Sequence, residues 1–135
     1  MRQIFIDSSY LIALELVTDG NHRKALEHWE RVRNSIDVLV ATSYVLDETV
    51  TYFNSRNLHA KAVKIGDDLL QSSAVQLVQV DENLLRKGWI YFKQHSDKRY
   101  SLTDCISFIV MQQLGIQTAL TFDRHFSQAG FIAAP

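Results

Sequence analysis

The strongest constraint on the fold is the alternation of short apolar runs with longer amphipathic segments. Residues 3–6 form an apolar run that indicates a buried strand, and residues 36–41, 74–80 and 116–122 are the other strand candidates. The intervening stretches carry apolar residues at helical spacing. Strands that alternate with helices are joined by right-handed crossovers into a parallel sheet. The pattern therefore predicts an α/β sandwich with a mostly parallel central sheet.

The helical spacing is clearest in six stretches between and around these strands. One helix is predicted to begin at Ser9, and the others are predicted to cover residues 22–33, 43–53, 58–70, 81–95 and 103–114. In the second helix, Ala25, Leu26, Trp29 and Val32 lie at helical spacing. A short turn, RHFSQ, follows the last strand.

Length and composition predict a single domain over residues 1–135. The chain has one proline, at its last position, and scattered glycines, so no linker divides it. Its net charge of −1 differs from the basic composition of proteins that hold nucleic acid by charge alone. The only cysteine, Cys105, lies in the most apolar helix and is predicted to be a buried structural thiol. A single cysteine that forms no internal disulfide fits a reducing, cytoplasmic setting. No secretion signal or membrane span is predicted at the N-terminus.

Acidic residues stand at the ends of the predicted strands. Asp7 ends the first strand, Asp81 follows the third and Asp123 follows the fourth, while Asp104 begins the apolar helix of residues 103–114. Glu48 lies in the helix after the second strand. Ligands of open parallel sheets bind beyond the carboxyl ends of the strands. Converging carboxylates repel one another, so they stay ionised when Mg²⁺ or Mn²⁺ neutralises them, and such ions can activate water for phosphodiester hydrolysis.

Each acid also has a structural interpretation. Ser101 and Asp104 match the capping-box pattern at a helix start, and Asp7 and Asp123 could each be helix N-caps. Asp81, which precedes a long helix, is assigned to capping. A lone glutamate such as Glu48 is most often a solvated helix residue. The residues alone leave both interpretations open.

Four motifs in order along the chain resemble those of the PIN-domain nucleases, especially the small VapC-type toxins and their stand-alone relatives. They are IFIDSSYLIAL, SYVLDETVTYF, YSLTDCISFIVMQQLGI and ALTFDRHFSQAGF. The resemblance implies a three-layer α/β/α sandwich and a ribonuclease dependent on Mg²⁺ or Mn²⁺. It implies that Asp7, Glu48, Asp104 and Asp123 are the catalytic and metal-binding acids, with Ser8, Ser9 and Thr121 as supporting hydroxyls.

The resemblance also implies an RNA substrate, a small protein antitoxin and a homodimer. Lys98, Arg99, Arg124 and His125 flank the acids in sequence and are candidates for phosphate contacts. One alternative is a catalytically silent PIN-like module that binds RNA or a protein partner. Another is a phosphoryl-transfer protein with Asp7 phosphorylated, but the second nearby aspartate of such phosphatases and the lysine after a late strand of receiver domains are absent.

Overall fold

The computed structural model describes residues 1–135 and contains one five-stranded sheet. Its strands are β1 (Gln3–Ile6), β2 (Val38–Thr42), β3 (Val75–Val78), β4 (Thr118–Leu120) and β5 (Ile132–Ala134). Their order is β3-β2-β1-β4-β5, and every neighbouring pair is parallel. The predicted α/β class with a mostly parallel central sheet is therefore confirmed.

Seven α-helices connect and cover these strands. They are α1 (Ser8–Glu15), α2 (His22–Val32), α3 (Ser43–Asn54), α4 (His59–Gln71), α5 (Glu82–Gln94), α6 (Leu102–Leu114) and α7 (His125–Gln128). The chain moves from β1 through β2 to β3 in one direction and from β4 to β5 in the other. Right-handed crossovers place α1 to α4 on one face and α5 to α7 on the opposite face. The packing of α3 on α4 and of α5 on α6 agrees with these three layers.

The core lies on both faces of β1 and around α6. Phe5 and Ile6 are fully buried in the sheet, and Cys105, Ile106 and Phe108 of α6 pack with them at 0% exposure. Cys105 is buried, as predicted, and its burial raises the pKa of the thiol to about 11. None of the seven helices combines the length and the apolar character that crossing a membrane requires.

Several details differ from the sequence-based expectation, including the bounds of β2 and β3, which were predicted at residues 36–41 and 74–80. The last predicted strand, residues 116–122, is confined to Thr118–Leu120, and β5 was not predicted at all. On α2, Leu26 is 44% exposed whereas His28 is buried. His28 tolerates burial because its Nδ1 lies 2.8 Å from the hydroxyl of Tyr10 on α1, which satisfies the ring nitrogen.

Candidate active site

The predicted acids meet where the direction of the sheet connections reverses. β1 lies between β2 and β4, so the connections from these central strands diverge and leave a crevice at their carboxyl ends. Asp7 directly follows β1, and its backbone N–H donates a 3.0 Å hydrogen bond to the carbonyl of Leu120. Thr121 and Asp123 follow β4 at the same edge. The fold thus brings together residues from the two ends of the chain.

The Asp7 carboxylate is buried and is held by two hydroxyl groups. Its Oδ2 accepts hydrogen bonds from Ser9 Oγ at 2.7 Å and from Thr121 Oγ1 at 2.9 Å. Burial raises its pKa to about 6, with smaller upward contributions from Asp104 and Glu48, while the two hydroxyls oppose the rise. Asp7 is the residue before α1, but its side chain makes no capping hydrogen bond. Asp7 therefore occupies the N-cap position of α1, but its carboxylate does not cap the helix.

Asp104 forms a capping box and also faces the other acids. Ser101 Oγ accepts from the Asp104 backbone N–H at 2.9 Å, and Asp104 Oδ2 accepts from the Ser101 N–H at 3.0 Å. The same Oδ2 accepts a 3.0 Å hydrogen bond from His125 Nδ1. The structural and chemical interpretations of Asp104 are compatible, because the cap fixes a carboxylate that remains within the acid cluster.

Asp123 and His125 complete a compact group with Asp104. Asp123 Oδ1 accepts a 2.9 Å hydrogen bond from the backbone N–H of His125, at the start of α7, and lies 3.3 Å from His125 Nδ1. Potential ligand atoms of Asp104, Asp123 and His125 all lie within 4.8 Å of one another. The sequence predicts only a phosphate contact for His125. The Asp-x-His spacing was visible in the sequence, but the contact with Asp104 spans 21 positions and depends on the fold.

Glu48 joins the site from α3, on the same face of the sheet as α1. Ser8 Oγ donates a hydrogen bond to Glu48 Oε1, so the residue next to Asp7 orients the glutamate. Glu48 is exposed, yet it is close enough to contribute to the raised pKa of Asp7. The four predicted acids therefore come together through a network in which Ser8, Ser9 and Thr121 are direct hydrogen-bond partners of acids.

The remaining polar candidates lie outside this network. Asp81 Oδ1 accepts a 2.8 Å hydrogen bond from the Leu84 N–H at the start of α5, which confirms it as a helix cap. Arg99 and Arg124 are exposed, and neither forms an ion pair. Their contact with phosphate stays a prediction. Lys98 lies 3.7 Å from Asp97.

An aromatic contact that the sequence did not reveal supports the Asp123 loop. The ring of Tyr10 stacks on Phe122, with centroids 5.7 Å apart and planes inclined by 14°. Phe122 lies between Thr121 and Asp123, and its N–H donates a 3.0 Å hydrogen bond to Ser9 Oγ. The stack and this hydrogen bond fix the loop that carries Thr121 and Asp123 against α1.

Comparison with known proteins places this arrangement in a family. The model of the PIN domain matches residues 4–132. The chain is 36% identical over 129 residues to the 23S rRNA-specific endonuclease VapC20 of two Mycobacterium tuberculosis strains, CDC 1551 / Oshkosh and ATCC 25618 / H37Rv, covering 96% of this chain and 95% of the relative.

The structural comparisons agree with this assignment. The crystal structure of M. tuberculosis VapC20, described as a sarcin-ricin loop cleaving toxin, superposes with a TM-score of 0.85 at 35% identity over 96% of both chains. FitAcB from Neisseria gonorrhoeae shares the fold, with a TM-score of 0.67 at 16% identity over 98% of this chain and 96% of that chain. The chain therefore belongs to the PIN domain family.

Proposed function

We propose that the protein is a metal-dependent endoribonuclease in which residues 1–135 act as a single nuclease domain. The observation that carries the proposal is the convergence of Asp7, Glu48, Asp104 and Asp123 on one crevice, through the contacts described above. The endonuclease activity of VapC20, a relative that spans nearly the whole chain, supports it.

The donor set fits a hard divalent cation. Carboxylate oxygens are the ligands that Mg²⁺ and Mn²⁺ prefer, and the buried Asp7 carboxylate has a pKa raised to about 6 by desolvation and neighbouring acids. A bound cation would remove this electrostatic cost. Asp7, Glu48, Asp104 and Asp123 would hold it, as catalytic and metal-binding residues. Its chemistry when bound is to activate a water molecule and to stabilise charge on the leaving oxygen.

The chain's own residues fix the acids before substrate binds. Hydrogen bonds from Ser9 and Thr121 restrict rotation of the Asp7 carboxylate, and a hydrogen bond from Ser8 orients Glu48. His125 donates to Asp104 and holds it next to Asp123. Preorganisation of this kind avoids the reorganisation cost that mobile carboxylates would incur during the reaction.

The substrate we propose is a structured ribosomal RNA. VapC20 is described as specific for 23S rRNA and as cleaving the sarcin-ricin loop. A stem-loop RNA with the sequence of the sarcin-ricin loop is therefore the first substrate to test. We further propose that this chain is the toxin of a toxin–antitoxin pair, acts in the cytoplasm, binds a small protein antitoxin and forms a homodimer. Arg99 and Arg124 are the proposed phosphate contacts flanking the acids.

The decisive experiment compares two single-carboxylate variants. Purified wild-type protein should cleave the stem-loop with Mn²⁺ or Mg²⁺ and should not cleave it with EDTA. Asp104→Asn should lower the rate by more than about 100-fold, since even partners of metal ligands typically cost 10–100-fold. Asp81→Asn removes the same charge from a helix cap and keeps the capping side chain, so it should cleave like the wild type.

Two results would overturn this function. Full metal-dependent cleavage by purified Asp104→Asn would show that the acid cluster does not carry out the reaction. Absence of cleavage by the wild type, together with no heat of Mn²⁺ binding at millimolar concentration, would identify a silent PIN-like module instead.

A further inference from the structure

A row of side chains leads away from the acid cluster along α3. Tyr44, Glu48, Tyr52 and Arg56 are spaced four residues apart, which places the three helical residues on one face and Arg56 in the turn that follows. They line a cleft of about 450 Å³ whose opposite wall includes Thr103, the residue before Asp104. The cleft therefore contains both a proposed metal ligand, Glu48, and an arginine, Arg56.

The guanidinium of Arg56 is held in a fixed position. Its Cζ lies 3.5 Å from the centroid of the Tyr52 ring. Its Nη1 donates hydrogen bonds to the Tyr52 carbonyl at 3.1 Å and to Ser55 Oγ at 3.3 Å. Arg56 is exposed and forms no ion pair, although the carboxylates of Asp47 and Glu48 line the same cleft. Tyr52 is half-buried and supports the guanidinium from beneath.

This geometry suits a phosphate. A guanidinium carries five N–H donors in a planar fork that matches phosphate oxygens, and Arg56 uses one nitrogen for its contacts within the protein. Glu48 and Tyr52 are one helical turn apart, about 6 Å along the axis at 1.5 Å per residue. Because the Arg56 guanidinium lies over the Tyr52 ring, a phosphate bound to it would be about one helical turn from Glu48, so an RNA strand bound at the acids could extend to it. A protein segment would gain less, because only two of the eight lining residues are hydrophobic.

We propose that the cleft between α3 and Thr103 is a nucleotide subsite, in which Arg56 binds an RNA phosphate adjacent to the scissile one. Tyr52 is the positioning residue that holds the guanidinium in place. The inference rests on the proposed ribonuclease function and extends it to the path of the substrate. The net charge of −1 gives no general attraction for RNA, and the proposal assigns a local phosphate contact to the outer surface of α3.

The test measures RNA binding without cleavage. A fluorescein-labelled stem-loop RNA is titrated with intact protein in buffer containing Ca²⁺ instead of Mg²⁺ or Mn²⁺, and gel electrophoresis verifies that the RNA stays uncut. Arg56→Gln should weaken binding by about fivefold and should make the dependence of log K on log salt shallower by about 0.7, the value for one lost phosphate contact on single strands.

Matched variants separate a phosphate contact from a general effect. Arg33→Gln removes an equal charge before β2, at the amino ends of the strands and away from the acids. This variant should bind RNA like the wild type. Tyr52→Phe retains the ring and should also bind normally, whereas Tyr52→Leu should reproduce part of the Arg56→Gln loss. Circular dichroism spectra and melting temperatures establish that each variant is folded.

The outcomes separate this subsite from the proposed function. RNA binding that depends on Arg56, in a protein that does not cleave with Mn²⁺, supports the subsite and contradicts the ribonuclease. Cleavage by a protein whose Arg56→Gln and Arg33→Gln variants bind RNA equally overturns the subsite and leaves the ribonuclease intact. Unchanged RNA binding by Arg56→Gln, with loss of binding to a co-expressed antitoxin, would also overturn it and identify a protein-binding cleft.

Discussion

The Thr121 hydroxyl donates a 2.9 Å hydrogen bond to Asp7 Oδ2, joining two residues that are 114 positions apart in the chain. Ser9 Oγ, 2.7 Å from the same oxygen, also lies 3.1 Å from Thr121 Oγ1. This triangle fixes a carboxylate whose burial favours the protonated form, and its hydrogen bonds partly oppose that effect. Its consequences for stability, for pH dependence and for catalysis can be measured separately.

Asp7→Asn should stabilise the metal-free protein while abolishing cleavage. The pKa of Asp7 is raised from 3.8 to about 6 in the fold, so the unfolded chain loses this proton more readily. The folded state therefore loses stability as the pH rises from about 4 through about 6, and asparagine avoids this loss. A shift of about two units corresponds to about 3 kcal/mol at most.

Urea unfolding in EDTA measures this effect. At pH 7.5 the variant should have a free energy of unfolding about 1–3 kcal/mol higher than the wild type, and near pH 4 the advantage should disappear. A variant that is less stable than the wild type at pH 7.5 would contradict the desolvation of Asp7.

Thr121→Val should move the acidic limb of the pH–rate profile to higher pH. The hydrogen bond from Thr121 lowers the pKa of Asp7, so its loss raises that pKa, and a higher pH is needed to ionise the carboxylate. Thr118→Val is the matched control, because Thr118 begins β4, the strand directly before Thr121, and it makes no hydrogen bond to Asp7, whose Oδ2 accepts from Ser9 and Thr121. Equal pH–rate profiles for the two variants would refute this role for Thr121.

His125→Ala should reduce cleavage by about 10–100-fold, the usual cost of removing a hydrogen-bond partner of a metal ligand. His125→Asn places an amide donor near the position of Nδ1 and should recover part of the activity. The rate as a function of Mn²⁺ concentration distinguishes weakened metal binding from a slower reaction. Wild-type activity in the His125→Ala variant would show that the 3.0 Å contact with Asp104 is dispensable.

Gly88→Ala should destabilise the fold without changing cleavage by the folded protein. A Cβ atom at Gly88 on α5 would lie 2.5 Å from Cγ1 of the fully buried Ile106 on α6. Overpacking of this kind costs about 1–3 kcal/mol. Gly20→Ala, where no atom lies within 4 Å of the added carbon, should change stability by less than about 0.5 kcal/mol. Thermal melts of both variants provide the comparison, and equal melts would refute the close packing.

The strands and helices that the sequence predicted best are those with a strong apolar pattern. β1 was predicted with the bounds that the structure has, Gln3–Ile6, because its apolar run stops abruptly at the charged Asp7. β5 escaped prediction because Ile132–Ala134 is short and alanine-rich, and it is defined by its parallel register with β4. The buried position of His28 was missed for a related reason, since burial of a polar ring depends on a partner from another helix.

The sequence by itself determined the fold class, the order of the four motifs and the acids that the structure gathers. Periodicity and strand-end position are local properties, so they can be read along the chain. Only the tertiary structure decided which neighbours each acid has: Thr121 beside Asp7, Ser8 beside Glu48 and His125 beside Asp104. Hydrogen bonding and desolvation act over a few ångströms of space. The chemical state of each carboxylate is therefore set by contacts between residues that are distant in sequence.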